Sequence, residues 1–121
     1  MFTFDTNILI YYADGDEKIS AFLEKHENEI FYLPTIVVTE FLSYPLLDKS
    51  ITLKFEDFVS QTILVNLNFP ISKAAAEIRR EYKLRLADAV IAASAITTDS
   101  YLVTRNVRDF KKISQLKLIS I

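Results

Sequence analysis

The sequence predicts an α/β sandwich on a mainly parallel sheet of about five strands, and two observations carry that reading. Short apolar runs of strand length alternate with single or paired segments of helical period, an order that calls for crossover connections and parallel pairing. Half of the 121 residues are hydrophobic and a quarter are charged, with no linker, repeat or low-complexity stretch between them. Residues 1–121 therefore read as one ordered domain with a single sizeable core.

The elements follow in order. Residues 2–5 (FTFD) form a short strand, and Thr6-Asn7 leads into an apolar continuation that turns helical. Residues 16–27 place Ile19, Phe22 and Leu23 at i, i+3 and i+4, an amphipathic helix. Ile30–Leu33 is a short buried strand. Pro34-Thr35 opens a helix, with Thr35 as its N-cap before IVVTEFLSY and Pro45 as its stop. The β-branched run Ile36-Val37-Val38 leaves a strand as the competing reading there.

Residues 52–61 carry Leu53, Phe55, Phe58 and Val59, a further helix, and 62–69 (TILVNLNF) read as a strand. Ser72, just after Pro70, caps a helix reaching about Leu84, with Ala75, Ile78, Arg79 and Tyr82 at helical spacing. Residues 87–96 (ADAVIAASAI) make a helix apolar nearly all round, hence buried. Residues 101–104 (YLVT) and 116–121 (LKLISI) complete the strands.

Composition narrows the function. A net charge of −2 argues against gripping nucleic acid mainly through a basic surface, but leaves open an approach to phosphates through metal ions. With one glycine, neither GxGxxG nor GxxxxGK[ST] phosphate cradles exist. The absence of cysteine removes disulfides and thiolate zinc sites. No apolar run approaches the ~20 residues of a membrane span, and the N-terminus lacks a basic leader. The expectation is a cytoplasmic protein with no membrane partner.

Four acidic places resist a purely structural reading. Asp5 ends the first strand inside the apolar stretch FDTNILI, where an unpaired buried carboxylate is costly. It reads equally well as a cap for the following helix, helped by Thr6 or Asn7. Glu40 interrupts a run otherwise apolar from Ile36 to Leu42; a solvated face is the alternative. Asp88 shares a helix face with Ile91, Ala92 and Ala95, where no partner is evident, although a first-turn acid also suits the helix dipole. Thr104, Asn106 and Asp109 cluster in LVTRNVRDF directly after a strand, which also suits a capped turn. Parallel strands bring all four places to one end of the sheet. Carboxylates so gathered repel one another, and an all-oxygen donor set selects Mg²⁺ or Mn²⁺ as the remedy.

FDTNILIYY, PTIVVTEFLSY, LRLADAVIAASAI and LVTRNVRDF together resemble the four motifs of PIN-domain ribonucleases, and the short chain is similar to the VapC-type toxins of prokaryotic toxin–antitoxin modules. The resemblance implies a PIN-like three-layer sandwich. It implies metal-binding acids at Asp5, Glu40 and Asp88, with Thr6, Asn7 and Thr104 in support. Many family members carry an acid where this chain has Asn106, so either Asn106 or Asp109 fills the fourth catalytic position. The implied activity is an endoribonuclease using Mg²⁺ (or Mn²⁺) to activate water, leaving a 5′-phosphate and a 3′-hydroxyl. The implied partners are an RNA substrate and a cognate antitoxin protein.

The alternatives are an RNA-processing nuclease without an antitoxin and a catalytically silent PIN fold that only binds. A receiver domain fails for want of adjacent acids after the first strand and a lysine after the last functional one; a haloacid-dehalogenase-like phosphatase fails because Asn7 stands where it wants an aspartate two residues after Asp5. The only histidine, His26, lies in the polar run EKHENE and reads as solvated. Arg79, Arg80, Lys83 and Arg85 form the densest basic cluster, a meeting place for RNA backbone or an ordinary solvated face. A homodimer is expected, because the aromatic content, Phe41, Tyr44, Phe55 and Phe58 among it, exceeds what so small a core readily buries.

Overall fold

In the computed structural model, which describes residues 1–121, the chain runs β1 (Phe2–Phe4), α1 (Thr6–Ala13), α2 (Glu17–Lys25), β2 (Phe31–Pro34), α3 (Thr35–Leu42) and α4 (Lys49–Ser60). It continues through β3 (Ile63–Val65), α5 (Phe69–Tyr82), α6 (Leu86–Thr97), β4 (Tyr101–Val103), α7 (Val107–Phe110) and β5 (Lys117–Ile119). All five strands pair in parallel, in the order β3-β2-β1-β4-β5. Phe2 lies opposite both Phe31 and Tyr101, and Phe4 opposite Val103.

Parallel pairing requires a crossover between every two strands, and each crossover here carries one or two helices. The chain lays β2 and β3 outward from β1, then crosses back to add β4 and β5 on the other side. The strand order thus reverses between β1 and β4. In open α/β sheets the crevice beyond the carboxyl ends at such a point is where ligands bind.

Strand alternation sorts the core into two faces. Phe2 and Phe4 meet Phe22 of α2, and Phe4 also meets Phe58 of α4. Thr3 points the other way, and its hydroxyl bonds that of Ser100 at 2.6 Å. α6 packs on that second face together with α5. Every residue of α6 from Asp88 to Ala95 is buried, as its small side chains allow. The result is the expected three-layer α/β/α arrangement, with no helix long and apolar enough to cross a membrane.

Caps set the helix starts, and they correct several expected boundaries. Asp16 accepts from the Lys18 and Ile19 amides, and Asp48 from the Ile51 amide, so α4 begins at Lys49 rather than 52. Asn68 accepts from the Ile71 amide and starts α5 at Phe69, which ends the predicted 62–69 strand at Val65. Ser72 does not cap that helix; its hydroxyl donates to the Asn68 carbonyl from within it. Thr35 likewise is the first helical residue of α3 and not its cap, a position held by Pro34. The segment is helical despite its β-branched run, because Val37 and Phe41 fall on one buried face. Phe41 and Phe55 are not surplus aromatics: they stack at 4.0 Å between centroids and are buried. Tyr44 is exposed and Phe58 partly buried.

Candidate active site

Each acidic candidate reaches the carboxyl end of the sheet by its own route. Asp5 follows β1 directly, in extended backbone, and is 5% exposed. Its Oδ1 accepts the Ile8 amide at 3.0 Å, so it caps α1. Its Oδ2 accepts the hydroxyl of Thr104, the fully buried residue that follows β4. Capping and site-building are therefore the same carboxylate, one oxygen for each. Glu40 lies in the second turn of α3, which starts where β2 ends. Half-buried, it accepts the Thr6 hydroxyl through Oε1 at 2.5 Å. Asp88 sits in the first turn of α6, which runs back toward the start of β4, so its N-terminal end stands at the site.

Asp88 is not partnerless, contrary to the reading of its helix face. Arg85, three residues earlier, donates Nε to Asp88 Oδ2 at 3.3 Å. The signal was present as an opposite-charge i, i+3 spacing across a helix start. Arg85 itself is largely solvent-exposed, so it covers Asp88 from the mouth of the crevice.

Asn106 and Asp109 are joined: Asn106 Nδ2 donates to Asp109 Oδ2 at 3.1 Å, and the Asn106 amide donates to Thr104 Oγ1 at 3.0 Å. A continuous path thus links Asp5, Thr104, Asn106 and Asp109. Asn7 is exposed on α1. Arg105, which the sequence did not single out, clamps this loop from behind. It donates to Asp16 Oδ2 at 2.8 Å and to the Ile121 carbonyl at 2.7 Å, with its guanidinium 4.9 Å from the Tyr11 ring centre. His26 lies at the opposite end of the sheet. It is not simply solvated, since its ring packs 4.7 Å from Phe2 and 4.4 Å from Phe22 and bonds Glu29.

The electrostatics follow from burial. Desolvation lifts the Asp5 carboxyl above its ordinary value; the Thr104 and Ile8 hydrogen bonds oppose this, and the charges of Asp88 and Glu40 raise it further. Arg85 is pushed up by its bond to Asp88, with Glu40 and Asp109 adding to the effect. These acids therefore share one local field.

Every donor in the crevice is an oxygen, apart from the amide nitrogen of Asn106, and that chemistry suits a hard divalent cation. As arranged, no three carboxylates stand close enough to share one ion. Each is held by a partner within the protein: Asp5 by Ile8 and Thr104, Glu40 by Thr6, Asp88 by Arg85.

A parallel α/β sheet with carboxylates gathered at its point of strand reversal defines a class of ligand-binding proteins. The PIN domain model matches residues 2–116, and the chain belongs to the PIN domain family, a family of nucleases that generally use divalent metal ions. Among solved structures, a toxin–antitoxin complex from Klebsiella pneumoniae is 27% identical, with a TM-score of 0.82 over 98% of this chain and 96% of that one. VapBC2 from Rickettsia felis, bound to a DNA fragment from its promoter, is 24% identical, with a TM-score of 0.86 over 99% and 98% of the two chains. DNA-bound VapBC from Salmonella typhimurium is 20% identical, with a TM-score of 0.85 over 98% and 96%. These last two speak to the fold. No curated protein matches the chain in sequence.

Proposed function

We propose that this protein is a metal-dependent endoribonuclease, the VapC-type toxin of a toxin–antitoxin pair. The observation that carries the reading is the meeting of Asp5, Glu40 and Asp88, from three separate elements, in one local field at the strand reversal. Asp5, Glu40 and Asp88 would hold Mg²⁺ or Mn²⁺ once their side chains turn toward a common ion, and the Asn106–Asp109 pair would fill the fourth position. Such an ion, when bound, supplies a lowered water pKa and offsets charge developing on the scissile phosphate.

The chain's own residues prepare that chemistry. The Ile8 amide and Thr104 hydroxyl fix the Asp5 carboxylate, and Thr6 orients Glu40. Arg85 balances the Asp88 charge at the mouth of the crevice. No protein nucleophile is required.

Two partners belong to the same reading. The likeness to the Klebsiella toxin–antitoxin complex supports a cognate antitoxin, and a 380 Å³ groove lined by Leu9 and Tyr12 of α1, Phe41 of α3, and Phe55 and Phe58 of α4 offers it an apolar seat. A homodimer is supported by the open edge strand β3, where Ile63 and Leu64 are exposed, and by the exposed Leu67 and Phe69 that follow it. Light scattering at high micromolar concentration should return twice the monomer mass; a monomer there counts against it.

The activity is tested by incubating purified protein with total RNA and Mg²⁺ or Mn²⁺, then mapping the ends. Discrete internal cuts bearing 5′-phosphates are expected. Intact RNA with both ions, in a protein whose melting temperature neither ion shifts, would favour a catalytically silent PIN fold.

A further inference from the structure

A polyanion that reaches this crevice meets repulsion, since the chain carries a net charge of −2 and the site is lined with acids. Residues 79–85, RREYKLR, are the exception: four cations and one acid in seven positions. The ion pairs of the protein run Met1–Glu29, His26–Glu29, Arg85–Asp88, Arg105–Asp16 and Lys117–Asp99. None engages Arg79, Arg80 or Lys83, and all three are exposed. Together with Leu84 and Leu86 they line one shallow depression. Arg79 and Lys83 line the same depression, whereas Glu81 projects about 200° around the helix from Arg79.

The depression adjoins the crevice. Only residues 83–85 separate α5 from α6, whose first turn carries Asp88. Arg85, the fourth cation, bonds Asp88 and joins the two surfaces. Lys83 adds an independent observation. It closes α5 in the left-handed conformation, φ 57° and ψ 38°, its amide donating to the Arg79 carbonyl at 2.9 Å. Glycine fits that position without strain, and lysine does not. Strain of this kind points toward function when the side chain it presents has a task.

We propose that Arg79, Arg80 and Lys83 form a landing site for the phosphodiester backbone of the RNA, beside the acidic crevice. The proposal rests on the nuclease reading above. The three cations hold phosphates flanking the scissile one and offset the repulsion of the acids, while the exposed Leu86 offers an apolar surface to a ribose or base. Backbone contacts of this kind position the strand and carry no sequence preference.

The test measures binding apart from cleavage. Fluorescence anisotropy of a labelled single-stranded RNA is followed in EDTA across a salt series. Wild type is compared with the triple variant Arg79→Gln, Arg80→Gln, Lys83→Gln, and with Lys83→Gly alone. Each lost phosphate contact on a single strand lowers the slope of log K against log salt by about 0.7, so the triple variant should lose about 2 from that slope. Lys83→Gly should bind RNA more weakly while its melting temperature stays level or rises, which misfolding cannot produce. Unchanged affinity and slope in the triple variant would overturn the proposal. So would equal displacement of the RNA by polyglutamate and by unlabelled RNA at matched charge, which would assign the face to an acidic polypeptide. A wild type that binds through these cations yet cuts no RNA with either metal sinks the nuclease reading and keeps the landing site. A triple variant that binds and cuts like wild type does the reverse.

Discussion

Replacing Asp5 by asparagine should stabilise the metal-free protein at neutral pH, an unusual outcome for a residue 5% exposed in the core. The cap is kept, since asparagine and aspartate cap helices equally well and the Ile8 amide retains its acceptor. The bond from Thr104 loses a charged acceptor, at a cost of about 1 kcal/mol. Against this stands relief from burying a carboxylate near Asp88 and Glu40, which is worth more than that loss. The net gain should be on the order of 1 kcal/mol, or about 4 °C in melting temperature for a domain of this size.

The pH dependence carries the stronger signature. Burial raises the folded-state pKa of Asp5, so native protein holds that proton more tightly than the unfolded chain does. The associated stability is fully present below the ordinary value of 3.8 and lost as pH rises through the raised one. Asp5→Asn has no such loss. Thermal unfolding in EDTA from pH 4 to 8 should therefore show the variant's advantage opening with pH. A variant less stable than wild type at pH 7, or a difference that does not change with pH, would refute the reasoning.

Asp88→Asn should leave metal-free stability within about 1 kcal/mol of wild type, since removing repulsion is offset by weakening the pair with Arg85, while Mg²⁺-induced stabilisation disappears in a thermal-shift titration. Phe55→Ala should cost about 3–5 kcal/mol by chemical denaturation, because it empties a buried position stacked on Phe41, and should weaken antitoxin binding through the same groove. The Arg105 hydrogen bond, above all, holds the Asp16 carboxyl below its ordinary value, so its stabilisation is present above pH 3.8 and lost as pH falls through the depressed value. Arg105→Gln should reduce that acid-side loss in a pH series of melting temperatures, leaving the part due to the Lys18 and Ile19 amides.

The strand and helix sequence was legible because it depends on local chemistry: apolar runs, helical spacing and capping residues. The errors fell where side-chain oxygens compete to cap. Asn68 begins α5 before Ser72 can, and that choice shortens β3. Asp5, Glu40, Asp88 and Thr104 were legible as polar residues in apolar surroundings, and parallel pairing predicted their common end of the sheet. Their partners were less so. That Thr6 bonds Glu40 and Thr104 bonds Asp5 depends on strand order, which sequence spacing does not encode. Arg85 was seen as one of a basic cluster, whereas its proximity to Asp88 makes it part of the crevice. Arg105 carries no local signal of its role, because its partners, Asp16 and Ile121, lie far from it along the chain.

The central claim, RNA cleavage by a divalent cation held in the crevice of Asp5, Glu40 and Asp88, is most directly tested by one rate measurement. A single end-labelled RNA is incubated with wild type and with Asp5→Asn, in EDTA and across a Mn²⁺ and a Mg²⁺ titration. The account predicts cleavage by wild type that saturates with metal and vanishes in EDTA, and a folded Asp5→Asn protein slower by about 100-fold or more at every metal concentration. Cleavage that persists in EDTA, or an Asp5→Asn variant that cuts at the wild-type rate, would contradict it.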